Sequence, residues 1–273
     1  PGKGAVIIDC QGSDRHFVVA AGARAVMEGL VLANGASGAD AGCVLVEAGA
    51  SLEFRDGVLS NCRASGSGGG IHVAEGGYLV VSDSTFEECV ADAEGGGVCA
   101  FRSSLLLERS GMRSCGADLG GAVYGDNSKI VVAGGTYEAN TAGASGGMAY
   151  VVQSHLTVTA GTCIFGGEAA RGGAVYAKDH SVVHMRGGVT MRDNHARYHG
   201  GALYGHTSSE MMLSENTRVQ NNSADGDSGA AHLWSQSSLH AFDNVTFEDN
   251  TAADDAGAIS SQGASEDGPT GVI

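Results

Sequence analysis

A glycine pair recurs along this chain at nearly constant distance, and that recurrence limits the fold more than any other feature. Gly120-Gly121-Ala122-Val123-Tyr124 returns almost unchanged as Gly172-Gly173-Ala174-Val175-Tyr176 and as Gly200-Gly201-Ala202-Leu203-Tyr204. Looser versions stand at Gly68-Gly69-Gly70-Ile71, Gly95-Gly96-Gly97-Val98, Gly146-Gly147-Met148-Ala149-Tyr150, Ser228-Gly229-Ala230-Ala231 and Ala256-Gly257-Ala258-Ile259, with Ala41-Gly42-Cys43-Val44 as the first. The second glycine falls at 42, 69, 96, 121, 147, 173, 201, 229 and 257, in steps of 25 to 28 residues. Each such unit is too small to bury an apolar face alone, so it must stack on its neighbours in a solenoid.

A second column lies five to seven residues before each glycine phrase: Asn34, Asn61, Cys89, Cys115, Asn140, Gly167, Asn194, Asn222 and Asn250. Three positions earlier stand Val31, Val58, Phe86, Met112, Tyr137, Ile164, Met191, Val219 and Phe247, giving an F-x-x-N phrase clearest in Phe247-Glu248-Asp249-Asn250. A third, aliphatic segment precedes this one, as in Leu79-Val80-Val81, Leu105-Leu106-Leu107 and Ile130-Val131-Val132. Each unit therefore holds three short strand-like pieces separated by Gly, Ser, Asp or Asn, and no stretch sustains a helical period. The expected fold is an all-β, single-stranded parallel β-helix of about nine to ten rungs, roughly 45 Å long at a rise of about 4.8 Å per rung.

Alternation assigns the faces of the strand after the glycines. Val44, Ile71, Val98, Val123, Ala149, Val175, Leu203, Ala231 and Ile259 are expected inward; Leu45, His72, Cys99, Tyr124, Tyr150, Tyr176, Tyr204, His232 and Ser260 outward. The glycines are expected to turn the coil, since they reach positive φ without a Cβ penalty. Asn34, Asn61, Asn140, Asn194, Asn222 and Asn250 are expected to form a structural amide ladder.

Only 2 of the residues are proline, both near the ends (Pro1 and Pro269), which suits uninterrupted sheets. One domain over residues 1–262 is expected, with 1–24 an irregular first rung and 263–273 a tail or the cut edge of a further repeat. The formal charge of −16 disfavours nucleic acid and anionic membranes as partners. No secretory leader pattern and no apolar run long enough to span a bilayer is visible. The chain starts at Pro1, not Met, so it is expected to be a mature chain or an excised piece of a longer one.

The pairing of G-G-A-[I/V/L] with F-x-x-N in one unit resembles the repeats of the chlamydial polymorphic outer membrane proteins over about residues 30–260, most clearly at Gly120–Val123, Gly172–Val175, Gly200–Leu203 and Phe247–Asn250. The resemblance implies a β-helical passenger, displayed at the cell surface and adhesive. It also implies the right-handed coil that the usual crossover rule favours. It supplies no catalytic residue.

Candidate chemistry is sparse. β-Helices also carry polysaccharide lyases and hydrolases, which need converging carboxylates or a base beside cations. Here the only Asp pair is Asp254-Asp255, in a turn, and the arginines share no column. No cofactor is expected; acidic turns (Asp40, Asp92, Glu94, Asp118, Glu168, Asp225, Asp227) leave calcium as the one candidate ion. The histidines near one turn, His195, His199 and His206, with His180 and His184 a rung earlier, are expected to be strand or surface residues, not metal ligands. Seven cysteines cannot all pair; Cys89 and Cys115, stacked in one column, are the candidate disulfide. The outward stripe of Tyr124, Tyr150, Tyr176, Tyr204 and His232 is the candidate ligand contact, with sheet-stabilising stacking as the alternative.

The expected function is thus a non-enzymatic structural or adhesive module of a larger extracellular or cell-surface protein. Its partner would be a protein, a glycan or further copies in an assembly. A polysaccharide-active enzyme is the runner-up.

Overall fold

A computed structural model describes residues 6–263 and 271–272 of the chain. Every described strand joins one of four parallel sheets, three of ten strands and one of nine, with no helix among the described residues. Sheet 1 follows the glycine phrase, running from Phe17–Val19 to Ile259–Gln262. Sheet 2 carries the aliphatic segments from Arg24–Glu28 to Gly271–Val272, and sheet 3 the F-x-x strands from Val6–Asp9 to Thr246–Glu248. Sheet 4 runs from Ala36–Ser37 to Thr251–Ala252 and was not foreseen in the sequence, where three pieces per coil are visible. Many of its strands, such as Arg63–Ala64 and Val90–Ala91, are only two residues long and leave no pattern to read.

In the first rung, Val6–Asp9 and Phe17–Val19 pair in register with Leu30–Ala33 and Val44–Val46. Gly271 and Val272 lie beside Ser238 and Leu239 as a strand of sheet 2. Pro1, Pro269 and residues 264–270 and 273 of the expected tail lie outside the described residues.

The core is built of stacked columns. On sheet 1 the inward residues from Val44 to Ala231 are all fully buried, as the alternation predicts. Sheet 2 contributes Leu52, Leu79, Leu105, Ile130 and Leu156, and sheet 3 contributes Leu32, Leu59, Phe86, Met112 and Tyr137. In this last column the sequence alignment slips by one residue at its start. Phe86 stacks on Leu59 and Leu59 on Leu32, whereas Val58 pairs with Thr85.

The same slip separates the asparagines into two ladders. Asn140, Asn194 and Asn222 are buried, while Asn34 and Asn61 sit one position earlier with positive φ of 56° and 52°. In the inner ladder Asn194 donates to Asn222 Oδ1 at 2.9 Å and to the Ile164 carbonyl at 3.3 Å, and Asn222 donates to Asn250 Oδ1 at 2.9 Å. In the outer one Asn61 donates to Asn34 Oδ1 at 2.7 Å. The inner amides satisfy buried backbone groups; the outer ones cover a left-handed turn that Asn tolerates.

The two glycines of the repeat also divide their tasks. The first takes positive φ and faces only its own turn, where a Cβ on Gly120 would lie 2.2 Å from the Val123 carbonyl; Ala41, Ser228 and Ala256 fill the same position elsewhere at φ 60°, 64° and 46°. The second has no substitute, because a Cβ there meets the backbone of the next rung. At Gly121 the carbonyls of Gly147 and Thr141 would both lie 2.4 Å away, and at Gly173 the Gly201 carbonyl would lie 2.3 Å away.

Hydroxyl ladders not anticipated from sequence close two other corners. Ser128 receives the Ser103 amide at 3.1 Å and Ser154 receives that of Ser128 at 2.9 Å. Ser110 takes the Ser84 amide in the same way at 3.1 Å. These columns satisfy corner N–H groups that the sheets leave unpaired.

The cysteine pairing differs from the expectation. Cys89 and Cys115 are buried thiols, and the disulfide joins Cys43 to Cys62 with a Cα separation of 5.5 Å. Stacked in parallel, Cys89 and Cys115 point the same way, toward their own strands, with Sγ on the Glu87 and Arg113 carbonyls. Cys43 and Cys62 instead face each other across one coil, the orientation a disulfide needs.

Candidate functional site

Tyr124, Tyr150, Tyr176 and Tyr204 are brought together as the sequence register implies, on the face of sheet 1 away from the core. Their rings stack nearly parallel at 5.5, 5.0 and 4.9 Å, and His232 continues the pile 5.0 Å beyond Tyr204. They are not, however, an exposed stripe. Tyr150, Tyr176 and Tyr204 are 8, 7 and 4% exposed and His232 only 1%.

The covering comes from sheet 4. In the middle of the molecule its strands lengthen to Gly116–Leu119, Thr141–Ser145, Glu168–Arg171 and His195–His199, with register shifts where the extra residues enter. Leu119, Ser145, Arg171 and His199 form a wall beside the ring stack, and Lys178, His206 and Trp234 at the ends of sheet 1 strands form the opposite rim. The result is a cleft of about 500 Å³ with an aromatic floor. Register shifts between these strands break the columns of the repeat, so no sequence pattern marks Leu119 or Arg171, and Trp234 stands at the end of its strand outside the tyrosine column.

Electrostatics follow from this enclosure. Burial raises the Tyr150 phenol to about 12 and pushes Tyr124, Tyr176 and Tyr204 up as well. Burial first, and then the neighbouring His199, pull His232 down to about 4, so its ring is neutral. Arg171 and Lys178 put two cations at the rims of a cleft in a chain of charge −16. Arg171 also packs over the Tyr198 ring at 5.4 Å.

The other polar candidates disperse. His184 lies on sheet 2, while His195 sits against Ser223 and Asp225. Asp254 and Asp255 are exposed on the turn before Gly257. The acidic corner residues Asp40 and Glu94 both engage Ser67, Asp40 at 2.8 Å from its amide. Among the described residues, three potential metal donors converge at one place only, His199, Asp227 and His232, at the end of the aromatic stack.

The sequence profile of the Chlamydia polymorphic membrane protein repeat matches residues 244–262. That span holds Phe247-Glu248-Asp249-Asn250 and Ala256-Gly257-Ala258-Ile259, one F-x-x-N phrase and the glycine phrase after it. This rung is therefore similar to the repeat of those membrane proteins. No curated protein and no solved structure matches the chain.

Proposed function

We propose that the chain is a non-enzymatic, adhesive module of a larger cell-surface protein, holding an extended glycan in its aromatic cleft. The observation that carries this reading is the floor of parallel tyrosine rings, spaced at 4.9 to 5.5 Å and flanked by Arg171 and Lys178. Stacked on one another, these rings turn their edges to the cleft, and a narrow aromatic floor between polar rims suits an extended chain rich in hydroxyls. The two cations select for acidic sugars, which an acidic protein would otherwise repel. The surface setting is supported by the similarity of residues 244–262 to a repeat of chlamydial membrane proteins.

Binding of the purified chain to an array of acidic and neutral glycans tests the reading. Tyr176→Ala and Arg171→Ala are each expected to weaken binding about tenfold, equivalent to about 1.4 kcal/mol. Equal binding by both variants would remove the cleft from the account. Release of unsaturated or reducing ends from acidic polysaccharide, with calcium present, would replace adhesion by the enzymatic alternative.

A further inference from the structure

We propose that His199, Asp227 and His232 form a binding site for a divalent transition-metal ion, with zinc the best fit. The three come together through the solenoid register. His199 ends a sheet 4 strand, Asp227 lies in the corner one rung later, and His232 stands on sheet 1 just past that corner. One donor atom from each lies within 4.8 Å of the other two. His199 Nδ1 is 3.5 Å from Asp227 Oδ2 and accepts the Asp227 backbone N–H at 3.1 Å, which holds the ring against the carboxylate. The His199 and His232 rings stack at 4.9 Å.

His232 supplies a second, independent observation. It is 1% exposed, and its Nε2 has no hydrogen-bond partner. Its Nδ1 is held by Ser260 Oγ at 3.0 Å, with Ser228 Oγ at 3.3 Å. An orphaned buried nitrogen needs an explanation, and an imidazole anchored through one nitrogen with the other left bare is how proteins present histidine to a metal. Asp227 is oriented in the same manner, accepting from Gln262 Nε2 at 3.1 Å. These anchors are the outer contacts that fix ligand direction in metal sites.

The donor set chooses the ion. Two imidazoles and one carboxylate suit zinc and its neighbours, whereas calcium and magnesium require oxygen throughout. Three protein ligands leave one position open, and here it would face the end of the aromatic cleft. Bonds of about 2.0–2.2 Å require the donors, which lie within 4.8 Å of one another, to draw closer. His199, about one-third exposed at a strand end, is the residue able to move.

The test uses tag-free, metal-stripped full chain titrated calorimetrically with zinc chloride, and with cobalt chloride as a spectroscopic stand-in. One equivalent is expected to bind, with tetrahedral cobalt bands and no thiolate charge-transfer absorption. His199→Ala and Asp227→Asn, checked for folding by circular dichroism, are each expected to weaken zinc at least about tenfold. His195→Ala, which removes the neighbouring His195–Asp225 pair, should leave affinity unchanged. Absence of stoichiometric binding, unchanged affinity in both site variants, or a cobalt–thiolate spectrum would each overturn the site. The readout is metal affinity alone, so it stands or falls apart from glycan binding.

Discussion

At the scale of single residues, the repeat contains positions that look alike in sequence and differ in physical demand. Gly172 and Gly173 are adjacent, but a Cβ on the first, at a φ of +60°, would meet the Val175 carbonyl of its own turn at 2.5 Å, and one on the second would meet the Gly201 carbonyl of the next rung at 2.3 Å. Alanine in the left-handed region carries a penalty of roughly 1–2 kcal/mol. A methyl group 2.3 Å from a neighbouring carbonyl forces the rungs apart, so Gly173→Ala is expected to lose about 3 kcal/mol or more. Urea unfolding of both variants checks this, and equal losses would refute the division. The asparagines separate similarly. Asn194→Ala strands the Gly167 amide and removes the side-chain donor to the Ile164 carbonyl in a buried corner, with an expected loss of about 2–4 kcal/mol. Asn61→Gly keeps the left-handed turn and removes an exposed amide, so its melting midpoint should hardly move, about 0.5 kcal/mol at most. Thiol labelling gives a further check: Cys10 and Cys163 should alkylate in the native protein, whereas Cys89, Cys99 and Cys115 should require denaturant.

At the scale of the element, the tyrosine stack couples side-chain ionisation to the integrity of sheet 1. Burial raises the folded pKa of Tyr150 to about 12, above the ordinary value near 10, and Tyr124, Tyr176 and Tyr204 shift the same way. The unfolded chain therefore releases these protons first as pH rises. Stability is full below about pH 10 and falls between about 10 and 12. Phenolate absorbance should appear together with loss of the β-sheet dichroism signal, not before it. Phenolate formation by these rings in a fully folded protein near pH 10 would contradict their enclosure. How much of this element was legible in sequence is instructive. Period-two alternation placed Tyr124, Tyr150, Tyr176, Tyr204 and His232 in one column, and the register agrees. Alternation says which side of a sheet a residue takes; it cannot say what stands over that side. The wall belongs to sheet 4, whose longer strands shift register between rungs and so keep no shared column, and Arg171, His199 and Asp227 could not be linked to the tyrosines beforehand. For the same reason the disulfide was misplaced: Cys43 and Cys62 meet across a coil, a relation invisible to a column count.

At the scale of the whole molecule, each strand pairs with the strands of the neighbouring rungs, so stability should be close to a sum over units. Excising Val175–Ala202 joins Ala174 to Leu203, which takes the position of its register partner Val175 one rung earlier. The shortened chain is expected to fold, with unchanged dichroism per residue and a lower unfolding midpoint. A collapse to an unfolded chain would show that one rung governs the rest. The corners, finally, differ in how much they vary. From sheet 3 to sheet 4 the strand starts are always close: Thr85 to Val90, Thr136 to Thr141, Thr190 to His195 and Arg218 to Ser223. The other three corners absorb the whole variation of the period. A lineage carrying this repeat is thus free to lengthen or shorten the cleft wall by insertion and deletion while the asparagine corner keeps the coils in phase. New binding specificities can arise by changes in length as readily as by substitution, without disturbing the spine.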